Sequence, residues 1–346
     1  MVCLCLPPSI HPSIHPSIHP SIHPSTGPGC SSFDGLFLEN GPFKVSSEQK
    51  LSVHRESWVA AANMLYIDQP VGTGLSYTTG RSYPKNDNEI NRALLEFLDG
   101  FFDVHAHLRG RTFFLTGESH AGHFLPSLAK AMLQRNDKLG AGDPGVFKLA
   151  GLAIGNGWFD PHRQYDVSEF AHGSGLISAG QVATLKKREQ DCRRALSGGR
   201  YMYGACWDLL DDVVKVSGAH GKQKVLMYDI RQYAKTSAVF PPHHDRVEKY
   251  LNNKAVRAAL HASQCPLVFK ECTDPPYNAL KHQDGLGVTR EIAFLLERNV
   301  RMIFFNGGFF FLAASLQHMK KKKRIGPDRN STRSPHTQPS PHALLD

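Results

Sequence analysis

Residues 111–133 read R-T-F-F-L-T-G-E-S-H-A-G-H-F-L-P-S-L-A-K-A-M-L. The apolar run at 113–115 is typical of a strand that is buried on both faces. A turn of small residues follows around Ser119, and apolar residues then recur at helical spacing from Phe124 to Leu133. A strand, a sharp turn with a central serine, and a helix together form the context of a nucleophile elbow, which exposes the serine hydroxyl at the end of the strand.

The turn at Ser119 is flanked by residues without bulky side chains, as so sharp a bend requires. Gly117 stands two positions before the serine, and Ala121 with Gly122 stands just after it. At the first turn of the helix, unpaired backbone N–H groups and the positive end of the helix dipole favour developing negative charge. The pattern G-x-S-x-A departs from G-x-S-x-G only in its last position. Ser119 is therefore the candidate nucleophile.

The composition is that of a globular chain that can bury a sizeable core. Of its 346 residues, 41% are hydrophobic and 10% are aromatic, and no apolar stretch is long enough to span a bilayer. The net charge of +9 is mostly local, since residues 320–346 carry +5 of it. The remainder does not indicate a nucleic-acid partner, and no Cys or His grouping has the spacing of a metal site. We expect no cofactor, and nothing in the sequence indicates an oligomeric state.

Seven cysteines are spread thinly along the chain. They are compatible either with reduced thiols or with two local disulfides, Cys192–Cys206 and Cys265–Cys272. Disulfides would imply an oxidising compartment. The N-terminus has no basic segment, and its apolar run is too short for a signal peptide, so the compartment cannot be read from it.

Strands alternate with helices around the elbow, which predicts an α/β fold with a mostly parallel sheet and helices on both faces. From about 170 to 242, short helical pieces and a surface rich in Lys and Arg interrupt this alternation, which suits an inserted helical cap. Besides the elbow, the predicted elements are strands at 63–70, 149–154 and 300–305 and helices at 86–104, 245–262 and 289–298.

Both ends of the chain differ in composition from its middle. Residues 1–25 contain four consecutive copies of Pro-Ser-Ile-His, whose regular prolines should forbid helix and sheet pairing. Residues 320–346 are basic, rich in Pro and Ser, and unable to build a core. We therefore predict one domain at 26–319 between two disordered ends.

Five motifs stand in one order along the chain and resemble those of the serine carboxypeptidases, a branch of the α/β-hydrolase fold. The resemblance covers about residues 27–308. The motifs are G-P-G-C-S-S-F-D-G-L-F-L-E-N-G-P-F (27–43), N-M-L-Y-I-D-Q-P-V-G-T-G-L-S-Y (63–77), F-L-T-G-E-S-H-A-G-H-F-L-P (114–126), L-A-I-G-N-G-W (152–158) and Y-L-N-N-K-A-V-R-A-A-L (250–260).

The resemblance implies roles for five residues. Ser119 would be acylated, and the backbone N–H groups of Gly27 and His120 would form the oxyanion hole. Glu39 and Glu118 would recognise the free C-terminus of a peptide or protein. Two close carboxyl groups cannot both ionise cheaply, so one keeps a proton that it can donate to the substrate carboxylate. Because this donor is lost as the pH rises, the resemblance implies acid-favoured activity in a vacuole, a lysosome or an extracellular fluid.

Departures from the family bear on activity. Ser25 stands where the family has an Asn that helps hold the substrate carboxylate, and we expect the sheet strands that precede this motif to be absent. Phe310 stands where the triad Asp is expected, and residues 320–346 do not resemble the segment that supplies the catalytic His. The family partner of Cys30 is also expected to be missing. The resemblance thus implies a chain that is truncated at both ends and severely impaired.

Three functions are compatible with these observations. The first is a serine carboxypeptidase that removes C-terminal residues through an acyl-enzyme. The second is an acyltransferase that uses the same serine to pass an acyl group to an alcohol. The third is a non-catalytic, truncated form that at most binds peptides, because a serine without a base is a weak nucleophile.

Overall fold

The elbow strand lies in the interior of a mostly parallel sheet. The computed structural model describes residues 3–6, 18–22, 28–80, 82–217, 224–234 and 243–308, all within the unit Met1–Leu316. Its strands are β1 (Cys3–Leu6), β2 (Ile18–Ile22), β3 (Phe43–Val45), β4 (Leu51–Val53), β5 (Asn63–Ile67), β6 (Phe113–Glu118), β7 (Leu149–Gly155), β8 (Lys224–Leu226), β9 (Asp229–Ala234) and β10 (Arg301–Phe305).

The helices follow the strands in the alternation that the sequence predicts. Two of them, α1 (Asp87–Val104) and α2 (Ala121–Leu139), flank the elbow strand in the sequence. The others are α3 (Pro161–Gln164), α4 (Ser168–Gly173), α5 (Ala179–Ser197), α6 (Gly204–Val216), α7 (His244–Leu251), α8 (Lys254–Ala259), α9 (Asp274–Leu280) and α10 (Thr289–Glu297).

The main sheet has six strands in the order β1-β5-β2-β6-β7-β10. Every neighbouring pair is parallel except β1 and β5, which run antiparallel. β3 with β4, and β8 with β9, form separate two-stranded hairpins. The predicted α/β class with a mostly parallel sheet is confirmed.

Strand β5 shows why helices cover both faces of the sheet. All five of its residues are buried, and alternate side chains of a strand point to opposite faces. Leu65 and Ile67 join a core built with α1, α2 and α10. Met64 and Tyr66 join a second core, which includes Phe33 and residues of α7. Helices therefore cover both faces of the sheet, as the alternation of strands and helices predicted.

Helix α1 begins and ends close to its predicted bounds because the sequence contains both its N-cap residue and its apolar stripe. The Asn86 side chain accepts from the Glu89 N–H at 3.0 Å, which satisfies one of the unpaired donors at the helix start. The stripe packs into the first core. Its buried members are Ile90, Asn91, Leu94, Leu98, Phe101 and Phe102.

The predicted helix at 245–262 is instead two helices, and this prediction was wrong. α7 ends at Leu251, and the Asn253 side chain caps the start of α8 by accepting from the Ala255 N–H at 2.9 Å. Asn252 at the break donates to the Phe269 carbonyl at 2.9 Å and accepts from the Phe269 N–H at 2.8 Å. Side-chain bonds to the backbone offer Asn an alternative to the helix, and here they end it.

The repeat at the N-terminus contributes to the sheet, contrary to the expectation that its prolines forbid pairing. β2 lies within the repeat, between β5 and β6, and β1 lies ahead of it on the far side of β5. In the register between β2 and β6, the residues Ile18, Ser21 and Ile22 of β2 have partners, but Pro20 has none. A single proline is tolerated where one ladder is interrupted at its position. The expected absence of strands before residue 26 was therefore incorrect.

The sequence left open whether the cysteines are reduced or form disulfides, and the structure contains two disulfides among the described residues. Cys192–Cys206 is present as one of the two predicted bridges. The other is Cys30–Cys272, so the predicted Cys265–Cys272 pair and the expected lack of a partner for Cys30 were both wrong. Cys265 is a buried free thiol. Cys30 and Cys272 are 242 positions apart, and local spacing gives no signal for such a pair.

The region predicted as a cap has its own small core. α4, α5 and α6 enclose apolar side chains together with the Cys192–Cys206 disulfide. The buried Glu189 of α5 accepts from the Val167 and Ser168 N–H groups at 2.9 and 2.7 Å, which satisfies donors at the start of α4. The bounds of the cap, about 170–242, stay a prediction.

Candidate active site

The predicted elbow is present as a backbone bend at Ser119. β6 ends at Glu118 and α2 begins at Ala121, and Ser119 between them has a φ of +56°, which costs strain in a residue with a Cβ. The Ser119 N–H donates to the Gly155 carbonyl at 3.0 Å, and the Ser119 carbonyl accepts from the Trp158 N–H at 2.8 Å. The end of β7 and the loop after it therefore hold the bend.

Gly122 allows α2 to approach that loop. A Cβ on Gly122 would lie 2.5 Å from the Trp158 backbone nitrogen and 2.8 Å from backbone atoms of Gly157. These distances are shorter than any packing of a methyl group permits. The small residue that the sequence places after the serine is thus required by the loop after β7, which the local pattern could not reveal.

The two predicted carboxyl groups lie together. Glu118 ends β6, Glu39 ends a π-helical turn at Gly35–Glu39, and the two side chains share a hydrogen bond. Solvent reaches Glu39, yet protein atoms surround its carboxyl, and this desolvation raises its pKa against the opposing effects of the Glu118 hydrogen bond and of Lys44. The raised pKa allows Glu39 to keep a proton at a higher pH than an isolated glutamate.

Asn156 belongs to this site, although the sequence did not single it out as a functional residue. It follows β7 directly, and its side-chain amide donates to Glu118 Oε1 at 2.7 Å. Its side-chain oxygen accepts from the Gly307 N–H at 2.9 Å. The available signal was an Asn between two glycines at the end of a strand, inside the L-A-I-G-N-G-W motif.

The segment after Gly27 is tied to the end of β5, although Gly27 itself lies outside the described residues. The buried Asp68 carboxylate accepts from the Ser31 hydroxyl at 2.6 Å and from the Ser32 N–H at 3.0 Å. Burial raises the pKa of Asp68 to about 6, although these donors act to lower it. This anchor fixes the chain immediately after the expected oxyanion residue.

A second buried acidic pair, Asp34 and Glu271, adjoins the first. Burial raises the pKa of Asp34 well above its usual value, and a hydrogen bond from Glu271 with the charges of Glu271, Glu39 and Asp68 adds to this effect. The Cys30–Cys272 disulfide and a 2.7 Å bond from the Ser31 N–H to the Glu271 carbonyl hold the two segments together. Sequence analysis missed this pair because its members are far apart in the chain.

The two histidines that follow Ser119 are buried in an acidic network. His120 Nδ1 lies 3.7 Å from Asp284 Oδ1, His123 Nε2 lies 3.0 Å from Asp87 Oδ2, and the two rings stack at 5.3 Å. Burial and the neighbouring His123 lower the pKa of His120. Burial opposes protonation of His123, but Asp87, Asp284 and Glu291 together raise its pKa. Burial raises the pKa of Asp284 to about 7.

Several positions that matter to the predicted chemistry lie outside the described residues. They include Ser25, beside the expected oxyanion residue, and Phe310, where the resemblance expects the triad Asp. His318 and residues 320–346 lie outside as well. The described site therefore consists of the bend, the two acidic pairs, Asn156 and the histidine network.

Metal-binding groups and membrane-crossing helices are not found among the described residues. There, no group of three or more His, Cys, Asp or Glu side chains could hold a metal ion. No helix in the described ranges combines the length and the apolar character needed to cross a membrane.

Comparison with known proteins identifies the family. The serine carboxypeptidase family profile matches residues 25–325. The pheromone-processing carboxypeptidase KEX1 of Phytophthora infestans is 35% identical over 295 residues, which cover 81% of this chain and 49% of the relative. Serine carboxypeptidase S10 family member 2 of Dictyostelium discoideum is 35% identical over 292 residues, covering 82% of this chain and 51% of the relative. The chain thus spans about half the length of these curated relatives.

A solved structure supports the same assignment. The crystal structure of Kex1Δp, a prohormone-processing carboxypeptidase from Saccharomyces cerevisiae, superimposes with a TM-score of 0.78 at 25% sequence identity. The superposition covers 86% of this chain and 66% of that one. Sequence profile, relatives and fold agree with the motifs and with the elbow at Ser119. The chain belongs to the serine carboxypeptidase family.

Proposed function

We propose that the protein is a serine-type carboxypeptidase that removes C-terminal residues from peptides or proteins through an acyl-enzyme on Ser119. The observation that carries this proposal is the placement of Glu118, which pairs with Glu39 and directly precedes the bend at Ser119. A carboxylate-binding pair next to a nucleophile suits cleavage of the last peptide bond of a chain, since it fixes the distance from the free terminus to the reacting carbonyl.

The reaction that we propose begins with attack of the Ser119 hydroxyl on the carbonyl of the last peptide bond. The N–H groups of Gly27 and His120 would stabilise the oxyanion of the tetrahedral intermediate. The C–N bond would then break, and the amine of the C-terminal residue would leave with the proton that the Ser119 hydroxyl lost. Water would hydrolyse the ester on Ser119, which releases the shortened peptide as its acid and returns a proton to the serine. Throughout, the protonated member of the Glu39–Glu118 pair would donate a hydrogen bond to the substrate carboxylate.

Substrate binding is expected to weaken as the pH rises. The pKa of Glu39 is raised, so the pair keeps its proton at acid pH and loses it as the pH passes through that raised value. Once both carboxyl groups are ionised, they repel the substrate carboxylate instead of donating to it. The proposed activity is therefore favoured in acid.

We further propose that this chain is impaired in catalysis. Phe310 stands where the family resemblance expects the triad Asp, and residues 320–346 do not resemble the segment that supplies the His. Without these groups, the oxyanion hole and substrate binding supply only a residual acceleration of about 10³–10⁴ over water.

An oxidising compartment of the secretory pathway, or the outside of the cell, is the proposed location. The Cys30–Cys272 and Cys192–Cys206 disulfides support this proposal, because such bonds persist where thiols are not kept reduced. The proposed partners are peptide or protein C-termini as substrates.

The function is tested by labelling the 346-residue chain with a fluorophosphonate probe at pH 5. We expect slow labelling that is abolished in Ser119→Ala and slowed by an N-blocked dipeptide with a free C-terminus, but not by its C-terminal amide. Labelling that persists in Ser119→Ala, or that the free acid does not slow, would contradict the carboxypeptidase proposal. Labelling of Ser119 at the rate of an intact serine hydrolase would contradict the impairment alone.

The acyltransferase alternative uses the same serine and is separated by its products. An activated ester is supplied to the protein together with an alcohol in water. Release of the free acid supports a hydrolase, and transfer of the acyl group to the alcohol supports the alternative.

A further inference from the structure

We propose that Asn156 is a positioning residue of the substrate-carboxylate site, acting through the carboxyl group of Glu118. This inference rests on the proposed function, since Glu118 is there assigned to recognise the free C-terminus of the substrate. Asn156 itself needs no contact with the substrate for this role.

Three hydrogen bonds place Asn156 where the ends of three strands meet. Its N–H donates to the carbonyl of Phe305, the last residue of β10, at 2.8 Å. Its side-chain nitrogen donates to Oε1 of Glu118, the last residue of β6, at 2.7 Å. Its side-chain oxygen accepts from the Gly307 N–H at 2.9 Å. Because Asn156 directly follows β7, one residue joins the carboxyl ends of β6, β7 and β10.

The backbone conformation of Asn156 would accept glycine, so the amide supplies something that this backbone does not itself require. Its φ is +44°, in the left-handed region that glycine adopts freely and that Asn tolerates better than other residues. Glycine would satisfy this backbone and would keep the bond from its N–H to Phe305. What Asn adds is the amide, with one donor for Glu118 and one acceptor for Gly307.

The orientation of the amide follows from its partners. Gly307 supplies a backbone donor, so the atom facing it must be the side-chain oxygen. The NH₂ group is consequently directed at Glu118 Oε1, which accepts this hydrogen bond. Because an unprotonated carboxyl oxygen is a better acceptor than a hydroxyl oxygen, this bond favours confinement of the shared proton to the other oxygen of Glu118 or to Glu39.

This confinement gives the site a defined donor. If the proton could sit on any of the four oxygens, the oxygen that faces the substrate carboxylate would carry the hydrogen only part of the time. With Oε1 of Glu118 occupied, the proton stays on the oxygens that remain for Glu39 and the substrate. Asn156 therefore contributes to selection for a free C-terminus over an uncharged one.

The charged and titratable groups around the Glu39–Glu118 pair come from several other elements. Burial raises the pKa of Tyr66 on β5, and the charge of Glu39 adds to this effect. Burial also raises the pKa of Asp34, and the charge of Glu39 contributes to this effect as well. Glu39 lies on the π-helical turn, and the nearby Lys44 lies on β3. Burial raises the pKa of Tyr228, in the turn between β8 and β9, and the charges of Glu271 and Glu118 add to this effect. An added carboxyl at position 156 would face this acidic set.

The experiment measures the dissociation constants of an N-blocked dipeptide and of its C-terminal amide by calorimetry at pH 5. All proteins carry Ser119→Ala so that the free acid is not consumed, and all are the 346-residue chain. We expect the parent to bind the free acid at least tenfold more tightly than the amide. Asn156→Ala and Asn156→Gly should each reduce this preference at least fivefold, through weaker binding of the acid with unchanged binding of the amide.

Asn299→Ala is the matched control, because Asn299 also has a positive φ, of +58°, but is exposed between α10 and β10. It imposes the same kind of backbone strain as Asn156→Ala and should leave the preference intact. Asn156→Gly relieves the strain and removes only the amide. If Asn156→Gly keeps the parental preference, the amide has no positioning role and the inference is overturned.

Asn156→Asp tests the role through the pH at which binding of the free acid is lost, which a purely structural role of Asn156 would not change. Its carboxyl must be protonated to donate to Glu118, so binding of the free acid should be lost at a pH at least one unit lower than in the parent. An unchanged pH midpoint would overturn the inference. A parent that does not prefer the free acid would instead overturn the proposed carboxylate site, which distinguishes the two failures.

Discussion

At the scale of single residues, the local sequence pattern predicts some residues of the site and gives no indication of others. Ser119 was predictable because a strand, a turn and a helix surround it within about twenty residues, and its φ of +56° bears out the bend. Glu39 and Glu118 entered only through the family resemblance, since isolated glutamates carry no signal of their own. The Asp34–Glu271 pair had no signal, because its members meet only in the folded chain.

Substituting Gly122 with alanine tests how tightly the bend is held. The new Cβ would lie 2.5 Å from the Trp158 nitrogen, so backbone must shift, and we expect a loss of about 1–3 kcal/mol in the free energy of unfolding. Gly100→Ala is the control: Gly100 lies inside α1 with no atom within 4 Å of the added Cβ. It should stabilise the protein by about 0.5–1 kcal/mol. Urea unfolding measures both, and equal effects would contradict the close contact at Gly122.

At the scale of elements, the sequence predicted each helix or strand whose apolar pattern was uninterrupted. α1, β5, β7, α10 and β10 all lie within a few residues of their predicted bounds. The prediction failed where side chains bond to distant backbone. At 245–262 the apolar spacing continues through Asn252 and Asn253, and the contact of Asn252 with Phe269 together with the Asn253 cap ends the helix. The prediction for the Pro-Ser-Ile-His repeat failed for a different reason, since a strand can contain a proline that one of its two ladders leaves unpaired.

The break between α7 and α8 gives a prediction at this scale. Asn252→Ala leaves the N–H and carbonyl of Phe269 without their side-chain partners, and we expect it to lower the free energy of unfolding by about 1–3 kcal/mol. Lys254→Ala, at an exposed position on α8, should change it by less than about 0.5 kcal/mol. Thermal or urea unfolding distinguishes the two. An Asn252→Ala protein as stable as Lys254→Ala would mean that the apolar pattern alone sets these helices.

At the scale of the whole molecule, several acidic side chains are buried in segments that adjoin the candidate site. Asp34, Asp68 and Asp284 are each buried, and burial raises the pKa of each. Asp34 lies in the segment after Gly27, Asp68 lies just after β5, and Asp284 lies beside His120 at the start of α2. The sequence could not predict this, because the overall charge is positive and more than half of it comes from residues 320–346. Each of these three aspartates therefore holds a proton to a higher pH in the folded chain than in water.

The stability of the chain should therefore fall as the pH rises. Each carboxyl whose pKa is higher in the folded than in the unfolded state binds its proton more tightly when folded, so its contribution is lost as the pH rises through the folded value. For Asp68 and Asp284 these values are about 6 and about 7. His123, with a raised pKa, acts in the same direction, whereas His120, with a lowered pKa, opposes it.

We expect the free energy of unfolding to be smaller at pH 8 than at pH 5 by on the order of 1–3 kcal/mol. Asp284→Asn should reduce this difference, since it replaces the group that titrates closest to neutrality. Asp137→Asn, which changes an exposed carboxylate on α2, should leave the difference unchanged. Urea unfolding at both pH values measures all three proteins. Equal stability of the parent at pH 5 and pH 8 would show that the buried carboxyl groups find charged or solvated states at little cost, and the acid preference would then have to come from the substrate site alone.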